Sequence, residues 1–200
     1  MKQPLLQNPL LILLAGISAL CLLSMFLLIL PSPSALADEK TAKFDSDGAL
    51  IRPEEGYRQW FYVGTPLTPN DLNEGKAAFP EFHNVYIDPK SFAAYQKTGK
   101  FPDGTMLVKE LVSVGSKSAP SGRGYFMGEF IGLEVSYKDS KRFAKEPGYW
   151  AYFSFGHSYP LAEKAKAQPV ESCNACHQGA AAEDWVFSQY YPPLRAAKPK

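Results

Sequence analysis

Cysteine is scarce in this sequence, with three in 200 residues. Cys21 lies in an apolar leader, and Cys173 and Cys176 stand three apart, followed at once by His177. With those two committed to one motif, no pair remains for a structural disulfide, which excludes a stapled scaffold. Histidine is equally scarce: only His83 and His157 accompany His177. Charge of one sign is also missing. The chain carries 21 Lys+Arg against 20 Asp+Glu. Lys2 is the only charged side chain in residues 1–37, so the remainder holds 20 of each sign. That balance provides no basic patch for nucleic acid and no cationic face for a membrane surface. No internal repeat is present. Seventeen Pro and fifteen Gly break the chain too often for a long helical bundle.

What the sequence has is apolar mass: 46% hydrophobic and 14% aromatic residues. The length accommodates one domain and a targeting segment. The aromatics suit the walls of a flat apolar cofactor, and suit a β-rich core equally. Lys2 and the amino terminus precede an almost wholly apolar run over residues 10–30, broken by Pro31-Ser32-Pro33-Ser34. Ala35-Leu36-Ala37 then offers small residues at −3 and −1, so residues 1–37 read as a signal peptide cleaved after Ala37. The apolar run is also long enough to span a bilayer, and an uncleaved anchor is the alternative. Either reading places the domain outside the cytoplasm, in the periplasm.

Glu171-Ser172-Cys173-Asn174-Ala175-Cys176-His177 contains C-x-x-C-H, the attachment signature of a c-type haem. Two thiols add to the two vinyl groups on one porphyrin edge, and the adjacent imidazole becomes the axial ligand of the iron. A redox C-x-x-C would want a βαβ context. Half a zinc site would want two more ligands of the right type. The export signal agrees with haem attachment through Cys173 and Cys176, with His177 on the metal.

Along the chain, residues 38–52 are polar and are expected to form a loose arm, and 53–60 a short helix with acids in its first turn. Residues 61–65 open a strand. Residues 66–80, rich in Pro and Asn, form a surface loop. Residues 82–87 are a strand. Asp88 is an N-cap with Pro89 at the first helical position, and Gly99 a C′ stop. Residues 105–112 are β-prone, with Lys109 between Leu107 and Leu111 on one face. A lysine there reads most simply as an edge or snorkelling residue. Residues 113–123 are a hairpin loop, and 124–138 a long strand. If no bulge interrupts that strand, Phe126, Gly128, Phe130, Gly132 and Glu134 share one face. The glycines would leave room for another group above the sheet. A haem packed on the phenylalanines beside Glu134 uses such a face, and a bulged strand with Glu134 in solvent is the alternative. Residues 149–155 are aromatic on both faces and read as a central strand, and 161–167 as one or two helical turns. Residues 184–191 form an aromatic cluster able to cover a haem edge, stopped by Pro192-Pro193. Residues 53–195 are thus a haem domain, and 196–200 a basic, mobile tail. The fold class is α+β: mainly antiparallel β-sheet with a few flanking helices around a single haem.

Several gap-free stretches resemble the cytochrome P-460 proteins of ammonia- and methane-oxidising bacteria, over residues 44–195. They are Tyr57-Arg58-Gln59-Trp60, Val63-Gly64-Thr65, Val85-Tyr86-Ile87-Asp88-Pro89, Gly104-Thr105, Val108-Lys109-Glu110-Leu111, Gly124-Tyr125-Phe126-Met127-Gly128, Ile131-Gly132-Leu133-Glu134, 138–143, the haem motif and 187–195. The resemblance implies an antiparallel β fold with one haem c per chain, usually a homodimer. It implies that Lys109 bonds through its side-chain nitrogen to a meso carbon of the porphyrin, and that Glu134 is the carboxylate on the open side of the haem. It further implies oxidation of hydroxylamine, to nitrous oxide or, with oxygen, to nitrite, with electrons leaving to a soluble cytochrome c. Lys109 on its apolar face then becomes part of a haem pocket, and His83 receives no role.

Two rivals remain open. A nitric-oxide-binding protein resembling the β-sheet cytochromes c′ caps the open site with apolar residues, which Glu134 and Lys109 oppose. An electron carrier needs a second strong axial ligand, for which Met106, Met127, His83 and His157 are candidates in principle, although each reads more simply as a core or surface residue.

Overall fold

Alternating apolar residues in three long segments decide the architecture, because a strand so patterned has two faces to bury. The computed structural model describes residues 42–200. The expected signal peptide at 1–37, and the first residues of the arm, lie outside the described residues. In chain order come β1 (Leu50–Ile51), a 3₁₀ turn (Glu55–Gln59), β2 (Phe61–Gly64), β3 (Phe82–Ile87), α1 (Pro89–Thr98), β4 (Met106–Val114), β5 (Ser118–Ala119), β6 (Gly122–Arg123), β7 (Met127–Lys138), β8 (Trp150–Ser154), β9 (Lys164–Ala165), α2 (Cys173–Ala180) and α3 (Pro192–Ala197). Five strands form one antiparallel sheet in the order β2-β3-β4-β7-β8. The fold is α+β and mainly antiparallel, as the sequence implies.

Each face of the sheet carries its own core. Met106, Val108, Leu133, Val135, Tyr137, Ala151 and Phe153 pack with Ala42, Leu50 and Tyr57 on one side. Val85, Ile87, Leu107, Trp150 and Tyr152 pack with Phe92, Tyr95, Val186, Tyr191 and Leu194 on the other. α1 behaves as its caps predict. The Asp88 carboxylate accepts from the Ser91 amide at 2.8 Å and, with its other oxygen, from the Met106 amide at 2.9 Å, joining the helix start to β4. Gly99 ends the helix at φ +68°.

Several expectations are overturned. The arm is not loose over residues 42–52. Leu50 and Ile51 pair with Ala165 and Lys164, and Ala42, Ala49 and Leu50 are buried. Residues 161–167 contain no helical turn. They form β9 and a bridge from Ala167 to Phe153, with Gln168 N–H donating to the Tyr152 carbonyl at 2.7 Å. Seven residues are too few to nucleate a helix unaided, and the open edge of β8 supplies backbone partners instead. β8 is therefore an edge strand and not a central one. Its aromatics face inward on both sides because this segment and α2 cover it. Pro192 and Pro193 start a helix where a stop was expected, since proline suits the first turn. α3 buries Leu194, and Lys198 is held by Glu183, so the tail is docked.

The long strand is bulged. Gly132 stands opposite Leu111 but Phe130 opposite Val112, so β7 gains one residue there and its face alternation reverses. Phe130 thereby turns to the face opposite Glu134, where its ring lies 4.5 Å from the Arg58 guanidinium. Arg58 Nε and the Tyr57 hydroxyl donate to the buried Glu110 carboxylate at 2.7 and 2.8 Å. This network ties the 3₁₀ turn to β4. Removing Glu110 leaves the buried Tyr57 hydroxyl without its acceptor, while the partly exposed Arg58 keeps Glu55. Glu110→Ala should lower the stability of the holoprotein by about 1–3 kcal/mol, read from denaturant unfolding.

Candidate functional site

One rung of the sheet carries the site. Val85, Lys109, Glu134 and Ser154 stand in register across β3, β4, β7 and β8. Direct cross-strand neighbours have side chains close enough to pair, and Lys109 Nζ lies 2.5 Å from Glu134 Oε2. The other carboxylate oxygen, Oε1, lies 3.0 Å from His157 Nε2. Phe79, from the loop between β2 and β3, roofs this group. The Lys109 ammonium sits 4.4 Å from its ring centroid, a cation–π contact, and the His83 and His157 rings lie 5.8 and 6.0 Å away.

The electrostatics follow from burial and charge. Burial alone would raise the Glu134 pKa. The Lys109 charge and the hydrogen bonds of Lys109 and His157 outweigh it, and the carboxyl is held below its ordinary range. Burial, then the charge of Lys109, pushes His83 down to about 4, so its imidazole is neutral. His83 Nε2 is buried without a hydrogen-bond partner.

The second half of the site is α2. Cys173, Cys176 and His177 stand at i, i+3 and i+4, which a helix places on one face. Buried Asn174 pins the helix to the sheet edge by donating to the Trp150 carbonyl at 2.8 Å. His177 Nδ1 lies 2.8 Å from the Trp185 carbonyl oxygen. A carbonyl only accepts, so Nδ1 carries the proton and Nε2 keeps its lone pair for a metal. Burial lowers the His177 pKa against the opposing pull of that hydrogen bond, which favours the neutral, ligating form. The ring is clamped between Tyr152 and Phe187, at 4.3 and 4.6 Å between centroids.

Trp185 presents its carbonyl from a strained turn. Asp184 and Trp185 have φ of +44° and +59°, between bridge partners Glu183 and Val186. Both central residues of such a two-residue turn need positive φ, ordinarily supplied by Asn-Gly. Here Asp184 is held by Lys138 at 2.5 Å and by the Trp150 indole at 3.2 Å. The Trp185 ring fills the space above Gly148, where a Cβ would collide with it.

The sheet rung and the helix line one cavity of about 820 Å³, bounded by Lys109, Glu134, Cys173, Cys176 and His177, with Phe79, His83, Tyr152, His157, Trp185, Phe187 and Tyr191. All five residues singled out in the sequence therefore meet in one place. The volume lies within the ~300–1,000 Å³ of cofactor clefts. Two free thiols and one imidazole with an uncommitted nitrogen, facing an apolar wall, fit a haem. No group of three or more His, Cys, Asp or Glu able to hold a bare metal ion occurs among the described residues.

Two expectations change. Phe126 and Phe130 do not line the cavity; the bulge removes Phe130, and Phe79 and Phe187 take that part. The space above Gly132 is filled by the Gly156 carbonyl, 2.7 Å from where a Cβ would stand, and that above Gly128 by Ser113 and Gly115. Met106 is buried in the far core and Met127 is exposed, both away from the cavity. Sequence reasoning missed Phe79, and it weighed His157 and His83 only as second axial ligands, not as neighbours of Glu134. The one available signal was Gly156-His157 at the end of an aromatic strand, a place where a backbone turn aims a side chain.

A family model described as Cytochrome P460 matches residues 54–188. No curated protein matches the chain.

Gly148→Ala should displace the Trp185 ring and loosen its carbonyl from His177. The expected outcome is a loss of about 1–3 kcal/mol of stability and a shifted midpoint potential of the bound haem, read by denaturant unfolding and potentiometry.

Proposed function

This chain belongs to the cytochrome P460 family, and from that premise we propose that it is a periplasmic mono-haem cytochrome that oxidises hydroxylamine. The observation that carries the reading is the meeting of Lys109 and Glu134 in the cavity that also holds Cys173, Cys176 and His177. Cys173 and Cys176 would attach the haem, and Nε2 of His177 would be its axial ligand. When bound, the haem supplies one open coordination position and an electron sink.

The chain's own residues do the rest. Lys109 lines the same cavity from the sheet, and on this reading it would add a third covalent link to the porphyrin. With its nitrogen so committed, Lys109 no longer offers Glu134 an ammonium. Burial then acts on the carboxylate without its counter-cation and raises its proton affinity toward that of a general base. Glu134 takes the protons that hydroxylamine loses as its electrons are withdrawn. Phe79 and neutral His83 keep the pocket dry above it. An ionisable carboxylate in this position opposes the gas-binding alternative, whose cap is apolar. Electrons leave to an outside acceptor of the soluble cytochrome c kind, and the working unit is a homodimer. The leader, which lies outside the described residues, supports export.

Two variants test the proposal. Lys109→Leu should keep the haem attached through Cys173 and Cys176 but lose the far-red-shifted Soret band expected of the ferrous wild type. Glu134→Ala should keep that spectrum and stop hydroxylamine turnover. An ordinary c-type spectrum in the wild type, or undiminished turnover by Glu134→Ala, overturns the corresponding role.

A further inference from the structure

We propose that His157 is a positioning residue for Glu134 and the exit for its protons: its imidazole holds the carboxylate in place and passes to water the protons that the carboxylate takes from substrate. The proposal rests on the hydroxylamine-oxidising reading above. Withdrawing electrons from hydroxylamine releases several protons in a cavity roofed by Phe79. Glu134 stores one at a time, so it must be emptied between steps.

The fold places His157 by three separate devices. Gly156 adopts φ +114°, a conformation side chains rarely allow, and turns the chain out of β8. Gly132 on β7 has no side chain, and the backbone of residues 156–157 occupies its place. A Cβ there would stand 2.7 Å from the Gly156 carbonyl oxygen and 3.1 Å from His157 Cα. The amide of Leu133 then donates to the Gly156 carbonyl at 3.2 Å, and that of Phe155 to the Leu133 carbonyl at 2.9 Å. The result is an imidazole fixed beside the residue that follows Leu133, with Nε2 3.0 Å from Glu134 Oε1.

Exposure sets the direction of transfer. The Glu134 side chain is 20% exposed and that of His157 47%, so the imidazole joins a partly buried carboxylate to water. The neighbouring polar groups cannot replace it. The Nε2 of His83 reaches neither a partner nor solvent. Lys109 faces the other carboxylate oxygen. The charged or titratable groups facing His157 are thus Glu134 on β7, Lys109 on β4 and His83 on β3, with Lys76 lining the same cavity from the loop that supplies Phe79. With Glu134 ionised, Nε2–H donates to Oε1. Once the carboxylate has taken up a proton, exchange with solvent moves the imidazole proton to Nδ1 and frees Nε2. The carboxyl proton passes from Oε1 to Nε2, and the imidazolium releases its Nδ1 proton to water, which restores the starting tautomer. Only N–H and O–H bonds change, and no electron moves.

The test uses the holoprotein with His157→Gln, which keeps a hydrogen-bonding group but cannot take up and release a proton, and His157→Ala with added imidazole. Expected in His157→Gln are an unchanged absorption spectrum, an unchanged KM, and a kcat lower by about tenfold or more. Imidazole should restore turnover to His157→Ala. Wild-type kcat in His157→Gln, or a loss in His157→Ala that imidazole does not repair, overturns the role. A second readout needs no substrate: relaxation of the haem absorption after a pH jump should be slower in His157→Gln, and imidazole should restore its speed in His157→Ala. Equal relaxation rates, or no response in the wild type, overturn the proposal. Absence of hydroxylamine turnover in the wild type sinks the functional reading instead, and the pH-jump comparison still decides the role of His157.

Discussion

Lys109 and Glu134 meet because β4 and β7 pair in one register and no other. A slip of one residue would turn Lys109 and Glu134 to opposite faces and bury a charge in the far core. The register is pinned from both ends. Asp88 fixes the start of β4 through the Met106 amide, and the Arg58–Glu110 network anchors its middle on the opposite face. The bulge near Phe130 absorbs the mismatch beyond this point, so the distal half of β7 twists away without disturbing the rung at Glu134.

The helical side of the cavity depends on a different physics. Three donors share a face because of helical spacing alone, but their distance from the sheet is set by polar anchors. Asn174 bonds to the Trp150 carbonyl, and His177 to a carbonyl presented by a strained turn. That turn persists because Lys138 and Trp150 hold Asp184, the first of its two strained residues. Strain of this kind survives only where its surroundings over-determine it. The anchors converge on Trp150, at the start of the edge strand.

The sequence shows most of the site and about as much of the fold, for identifiable reasons. C-x-x-C-H is contiguous, so its chemistry is legible without structure. Asp88, Pro89 and Gly99 carry local rules, and α1 ends where they say. Lys109 and Glu134 were legible only through resemblance, since pattern alone makes one a snorkelling lysine and the other a surface acid. What stayed hidden is non-local. The bulge is invisible to alternation, so the sequence leaves a regular strand and a bulged one open and does not decide the face of Phe130. His157 is placed by a glycine on a different strand, Gly132, whose role emerges only when the two backbones touch. Residues 161–167 resembled a helix by composition, but the open edge of β8 outweighed a weak propensity.

The two cores of the sheet have no side chains in common, as alternate residues of each strand serve one or the other. Stability and chemistry are thereby written in interleaved but separate alphabets. Substitutions on the cavity face and on the Glu110 face touch different partners, and effects at such unconnected sites add with little interaction. The molecule is in this sense partitioned for change: its pocket can be revised residue by residue while the scaffold behind it stays insulated. That property makes it a tractable platform for redirecting haem chemistry.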